Sequence, residues 1–253
     1  MTVRALTAPN PGPFTLDGTK TYLVGEETVI DPGPAIEEHI AAILELSPGL
    51  KRVLVTHRHA DHAPAATVLR ERCGAEIWAP AGTFEEGTID HVLVDGQKIE
   101  VGDKVLEVVA TPGHTAEPVC FLSDTGELFT GDTVLGQGTT AILAPDGDME
   151  AYVDSLRKLM AKKPTRIYPG HGPVRHDAEA LLDEYIYHRL SREEQVVEHL
   201  ATGPKTTVDL RKAIYPDIGA PLHGAAEAQL TAHLGWLRKK GQAIEANGSW
   251  SKS

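Results

Sequence analysis

Thr56-His57-Arg58-His59-Ala60-Asp61-His62 follows directly on the apolar run at residues 52–55, and its reading decides the fold. The aliphatic run predicts a strand, and the end of a strand is rigid enough to hold ligand side chains. In an extended segment His57 and His59, two residues apart, project to the same side, so both imidazoles reach one cation. Asp61 and His62 turn toward a second position as the next helix begins.

Three more candidates stand in glycine- or proline-rich turns after strand-like runs: His114 in Thr-Pro-Gly-His-Thr, Asp132 in Thr-Gly-Asp-Thr and His171 in Tyr-Pro-Gly-His-Gly. Two of them have a plain explanation alone, because Asp132 suits a turn and His171 suits a loop between glycines. Together, five imidazoles and two carboxylates without a thiolate make a nitrogen and oxygen donor set suited to Zn²⁺ and tolerable for Mn²⁺ or Fe²⁺. The other histidines (His39, His91, His176, His188, His199, His223 and His233) read as structural. His176, just beyond His171, is the one among them that is a candidate for a substrate cleft, as are Thr139 and Thr140 if residues 136–140 form a loop over the site.

Working outward, 24 Lys and Arg against 36 Asp and Glu give a net charge of −12, which disfavours non-specific attraction to nucleic acid or an anionic membrane. Residues 1–18 lack the apolar core of a signal peptide, and no run approaches membrane-spanning length, so a cytoplasmic protein without a membrane partner is expected. Cys73 and Cys120 sit in apolar surroundings with no Cys-x-x-Cys spacing and read as buried free thiols.

Strand-like runs at residues 21–25, 28–31, 52–56, 99–101, 104–110, 119–123, 128–131 and 166–168 interleave with helical stretches at 35–46, 64–72 and 149–160. This α/β (α+β) pattern predicts a four-layer αββα sandwich in a catalytic domain over residues 1–176. Residues 177–203 read as a long connecting helix, ended by Thr202-Gly203-Pro204. Residues 204–253 then give helix, helix and a hairpin around Asn247-Gly248, the outline of a winged helix.

The order His-x-His-x-Asp-His, later His, later Asp and final His resembles the metallo-β-lactamase superfamily. The strings at residues 131–140, 168–174 and 188–195, with the winged-helix-like tail, are similar to the β-lactamase-like protein 2 family. The resemblance implies two Zn²⁺ per chain, with His57, His59 and His114 on one, Asp61, His62 and His171 on the other, and Asp132 bridging. It also implies that Asp31, in Ile30-Asp31-Pro32-Gly33, buttresses the ligand loop.

A hydrolase using a metal-bridging hydroxide follows, since cations lower the pKa of bound water to ~7. Asp61 is the candidate to orient or deprotonate that water. The family resemblance implies phosphodiester hydrolysis of single-stranded RNA, for which Arg58, Arg175, Arg189 and Arg192 would have to form a basic groove against the acidic background. The rival substrate is a β-lactam, lactone, ester or thioester. A binding module for nucleic acid or a partner would need polar, exposed residues along 225–240. Leu230, Leu234, Trp236 and Leu237 there instead suggest packing against the main domain, shaping the cleft wall or building a homodimer.

Overall fold

Short runs of Val, Ile, Leu and aromatic residues set off by turns supply the strands, and each run pairs with a neighbour. The computed structural model describes residues 2–253. One sheet holds six strands in the order β1 (Val3–Thr7), β2 (Lys20–Val24), β3 (Thr28–Ile30), β4 (Arg52–Leu54), β5 (Glu76–Ala79) and β6 (His91–Val92). Its first three strands pair antiparallel and β3 to β6 pair parallel. A second sheet holds β7 (Lys98–Val101), β8 (Lys104–Ala110), β9 (Val119–Ser123), β10 (Glu127–Gly131) and β11 (Arg166–Pro169), antiparallel apart from the parallel β10–β11 pair.

Alternation along the strands divides the core. Leu23, Val29, Val53, Val55 and Ile77 pack with Ile40 and Ile43 of α1 (Glu37–Leu46) and with Ala65, Ala66 and Leu69 of α2 (Ala65–Cys73). Tyr22, Val24, Ile30 and Leu54 face the other way, onto Leu106, Val108, Val119, Phe121, Phe129 and Tyr168 of the second sheet. The first sheet is thus buried on both faces, which explains why residues 52–55 read as an apolar run instead of an alternating one. Sheets packed face to face and flanked by helices are the arrangement expected from the sequence.

The chain packs as two compact units, the sheets lying in the first, which comprises Met1–Thr111, Glu117–Thr140 and Leu159–Leu181. The second comprises Pro112–Ala116, Ala141–Lys158 and Leu182–Ser253, so it draws in two short segments from upstream of α4 (Ala178–Ala201). It holds most of α3 (Met149–Ala161) and then α5 (Thr207–Ile214), α6 (His223–Lys239) and the hairpin β12 (Ala243–Ala246) and β13 (Ser249–Lys252). Thr206 and Asp209 close a capping box at the start of α5. Asn247 and Gly248 both have positive φ, 51° and 74°, as a two-residue hairpin turn requires.

Two expectations need correction. Leu230, Leu234 and Leu237, expected against the main domain, pack with Val196, Leu200, Leu210, Ala243 and Trp250 and so build the winged helix's own core with the end of α4. Cys120 is buried, but Cys73 is exposed because it closes α2 next to the left-handed Gly74. Among the described residues, no helix is long and apolar enough to cross a membrane.

Candidate metal centre

The ligand loop leaves β4 and is held from below by Asp31, which follows β3 with a left-handed φ of 47°. One Asp31 carboxylate oxygen accepts from the Thr56 amide at 2.7 Å. The other accepts from the Thr56 hydroxyl at 2.7 Å and lies 2.9 Å from His62 Nδ1. Asp31 is buried, and the Thr21 hydroxyl donates to its carbonyl at 2.7 Å. One carboxylate therefore orders both ends of the His57–His62 stretch.

These bonds also decide which ring atoms face inward. The Thr56 hydroxyl spends its proton on Asp31, so it accepts from His57 Nδ1 at 2.9 Å. His62 Nδ1 donates to Asp31, and His171 Nδ1 lies 3.4 Å from the Gly18 carbonyl. In each ring Nε2 is left to carry the lone pair, the arrangement that a second-shell acceptor imposes on a metal-binding imidazole. His62 Nε2 and His171 Nε2 stand 3.3 Å apart, and His57 Nε2 stands 3.0 Å from His59 Nδ1. Lone pairs aimed at a common point repel unless a cation lies between them, so the donor set fits a metal.

The carboxylates complete the picture. Asp61 lies 3.1 Å from His171 Nε2 and 3.5 Å from His62 Nε2; Asp132 lies 3.3 Å and 3.2 Å from the same atoms. Ligand atoms of Asp61, His62, Asp132 and His171 lie within 4.8 Å of one another, and so do those of His57, His59 and Asp132. Asp132 is common to both sets. Burial alone would depress the His62 imidazole, but Asp132 and Asp31 outweigh it and hold its pKa well above the usual value. His171 is likewise pulled down by burial and pushed up by its bonds to Asp132 and Asp61, to about 9. Burial would raise the Asp132 carboxyl, yet His62 and His171 hold it well below the usual carboxylate range. The cluster favours positive charge, which divalent cations would supply.

The turns around the ligands are set by close backbone approach. At Gly170 a Cβ would lie 2.6 Å from His62 Cε1 and 2.7 Å from Asp132 Oδ1, so only glycine lets this backbone pass. His114 belongs to the second unit, where Gly113, with φ 129°, brings the turn against α3; a Cβ there would meet the Tyr152 backbone at 2.4 Å. His114 Nδ1 lies 2.8 Å from the Ala141 carbonyl, leaving Nε2 as its ligand atom.

Among the remaining candidates, His176 and Thr139 are exposed. Thr140 is not a cleft residue: it is buried, and its hydroxyl donates to the Asp132 carbonyl at 2.8 Å and the Thr133 carbonyl at 3.2 Å. It positions the Asp132 turn. Sequence reading missed Thr19, a buried residue whose hydroxyl lies 3.4 Å from Asp61. It missed the part of Thr56 as well; a threonine beside a histidine carries no distinctive signal.

Comparison with known proteins agrees with this geometry. Residues 15–171 match the metallo-beta-lactamase superfamily, and residues 206–250 match the beta-lactamase associated winged helix domain. The chain is 34% identical over 223 residues to a beta-lactamase-like protein 2 homolog of Caenorhabditis elegans, covering 82% of this chain and 74% of that protein. It is 34% identical over 230 residues to an atrochrysone carboxyl ACP thioesterase of Aspergillus fumigatus, covering 81% and 71%. In three dimensions it is similar to a beta-lactamase domain protein from Burkholderia ambifaria, with a TM-score of 0.88 at 21% identity, covering 99% of this chain and 91% of that one. Asp31, the His57–His62 stretch, His114, Asp132 and His171 all fall inside the first matched stretch, and the chain belongs to the metallo-β-lactamase superfamily, a metal-dependent hydrolase with an associated winged helix domain.

Proposed function

We propose that the chain hydrolyses a small acyl thioester or ester at a dinuclear zinc centre. His57, His59 and His114 would hold one cation, Asp61, His62 and His171 the other, and Asp132 both, by motif order and by the sets of ligand atoms described above. Zinc fits the nitrogen and oxygen donors best. When bound, such a pair of cations polarises a carbonyl oxygen and lowers the pKa of water. Asp61, bonded by Thr19 and less buried than His62, His171 and Asp132, would orient the attacking water. Asp31 and Thr56 keep the imidazoles in the tautomer that presents Nε2.

One observation carries the substrate choice: each of the four arginines that an RNA groove would need is paired with, or stacked on, another group of the protein. Arg58 bonds Glu117 at 2.6 Å, and Arg175 bonds both oxygens of Asp177 at 2.9 and 2.6 Å. Arg189 is fully buried over the Tyr152 ring, and Arg192 bonds Gln195 and the Ile214 carbonyl while stacking on Tyr215. With a net charge of −12, a polyanion gains little here. The similarity to a thioesterase supplies the acyl class.

Single-stranded RNA is the second reading, favoured by the similarity to beta-lactamase-like protein 2 homologs, which extends over 82% of this chain in one of them. Purified, zinc-loaded protein assayed at one concentration against an acyl thioester, an ester, a chromogenic β-lactam and a single-stranded RNA separates the two. Thioester or ester turnover with intact RNA is expected. RNA cleavage with the acyl substrates untouched overturns the proposal.

A further inference from the structure

The second unit contains a chain of contacts that runs from the winged helix to a metal-ligand candidate. The His114 turn is gripped at two points by the segment 141–148: the Ala141 carbonyl lies 2.8 Å from His114 Nδ1, and the Asp148 amide donates to the Gly113 carbonyl at 2.9 Å. The Ser155 hydroxyl, on α3, adds a bond to the Pro112 carbonyl at 2.8 Å. The same segment is gripped at both ends by α6. Near its start, the Ile142 amide donates to Gln229 Oε1 at 3.4 Å and the Ala144 amide to the Ala228 carbonyl at 3.4 Å. At its end, Lys239 Nζ bonds Asp148 at 2.6 Å and lies 3.5 Å from Glu150.

Gln229 is itself fixed. Its amide nitrogen donates to the Tyr215 hydroxyl at 3.2 Å, and the Tyr215 ring lies under the Arg192 guanidinium at 4.3 Å. The rest of α6 is spoken for as well, since Leu230, Leu234 and Leu237 form the small core and Ala232, His233 and Trp236 are also buried. A helix that reads a nucleic-acid groove needs an exposed row of polar side chains, and the middle of α6 has none.

We infer that α6 is a clamp for the His114 turn, with Gln229 and Lys239 as positioning residues that act through residues 141–148 on the ring orientation and tautomer of His114. Outer partners of a ligand imidazole set its affinity for metal, typically by ~10- to 100-fold. Gln229 is the stronger arm, because it is partly buried and accepts from the N–H of the same Ala141–Ile142 peptide unit whose carbonyl holds His114 Nδ1. Lys239 is exposed, and its ion pair is correspondingly weak.

The inference rests on His114 being a metal ligand, and one titration separates the two. Full-length protein, stripped of metal, is titrated with Co²⁺ against a competing chelator while the visible absorption of bound cobalt is followed. His114→Ala should abolish one of two binding steps; if both survive, the ligand assignment fails and the clamp with it. Given that loss, Gln229→Leu should weaken the same step about tenfold and leave the other unchanged. Gln229→Glu, which keeps the acceptor for the Ile142 amide, should restore it. Two wild-type steps in Gln229→Leu, or a Glu variant as weak as the Leu variant, overturn the clamp. Gln229→Asn, one methylene too short to reach, repeats the comparison where Leu disturbs the metal-free fold, and it should weaken the step as Leu does.

Discussion

The ligand loop and the winged helix each bury a histidine completely, and the two rings are driven in opposite directions. His62 lies between Asp31, Asp61 and Asp132, and carboxylates reverse the effect of burial and raise its pKa. His233, on α6, finds no partner for either ring nitrogen and faces Arg189, Arg192 and His188 of α4 and Lys240 at the end of its own helix. Burial leads there and the neighbouring cations add to it, taking its pKa down to about 3. Burial alone thus says nothing about function; the sign of the surrounding charge separates a cation-binding imidazole from a packing one.

The comparison breaks first at Asp132, the residue common to both ligand sets. Asp132→Ala should reduce hydrolysis below detection and lower bound metal, measured by elemental analysis on the same sample. Full turnover with unchanged metal content would leave the charge pattern around His62 without a chemical meaning.

Asp31 comes next. Asp31→Ala strips acceptors from the Thr56 amide, the Thr56 hydroxyl and His62 Nδ1 in a buried setting, which should cost about 3 kcal/mol of stability in denaturant unfolding. Asn tolerates the left-handed backbone and keeps one acceptor, so Asp31→Asn should recover part of the loss. Equal stability of all three proteins would mean that the ligand loop holds itself.

What the sequence disclosed, and what it did not, follows the same physics. His57, His59, Asp61, His62, His114, Asp132 and His171 stood out because ligand chemistry restricts residue type and motif spacing survives in the linear order. The strands β2, β3, β4 and β8 to β11 stood out as apolar runs. By contrast β1 carries Arg4 and Thr7 and buries no residue fully at its sheet edge, and β6 has only two residues, so neither gives a period to read. Periodicity along α6 revealed an apolar face without naming its partner, and Leu234 turned out to face Leu210 and Val196 in the winged helix's own core. Thr19 and Thr140 act through single hydroxyls whose partners lie 42 and 8 residues away, a relation no local pattern encodes.

His233 gives a smaller effect with a definite sign. Above pH ~6.5 the imidazole is neutral in both folded and unfolded chains. Below that value the unfolded ring takes up a proton, whereas the folded one resists until about 3, so stability present at neutral pH is lost as pH falls between the two. His233→Leu removes this linkage. In urea unfolding between pH 6 and pH 4, its stability should fall less steeply than that of the wild type, by about 1.4 kcal/mol per pH unit. Parallel slopes would show that α6 accepts a charge after all.

Arg58→Ala should have the least consequence, and its smallness is informative. Arg58 sits between the candidate ligands His57 and His59, yet its guanidinium is partly exposed and turned onto Glu117. Breaking such a pair costs less than about 1 kcal/mol, because solvent screens both charges. Thioester turnover should therefore stay within about twofold of wild type, a change of ~0.4 kcal/mol in the barrier. If the residue instead served a polyanion, its loss would remove a phosphate contact and make binding less sensitive to salt. A salt-dependent drop in RNA cleavage on Arg58→Ala would therefore mean that the Glu117 pair opens for a phosphate backbone, and the charge around the ligand loop would have to be assigned to RNA.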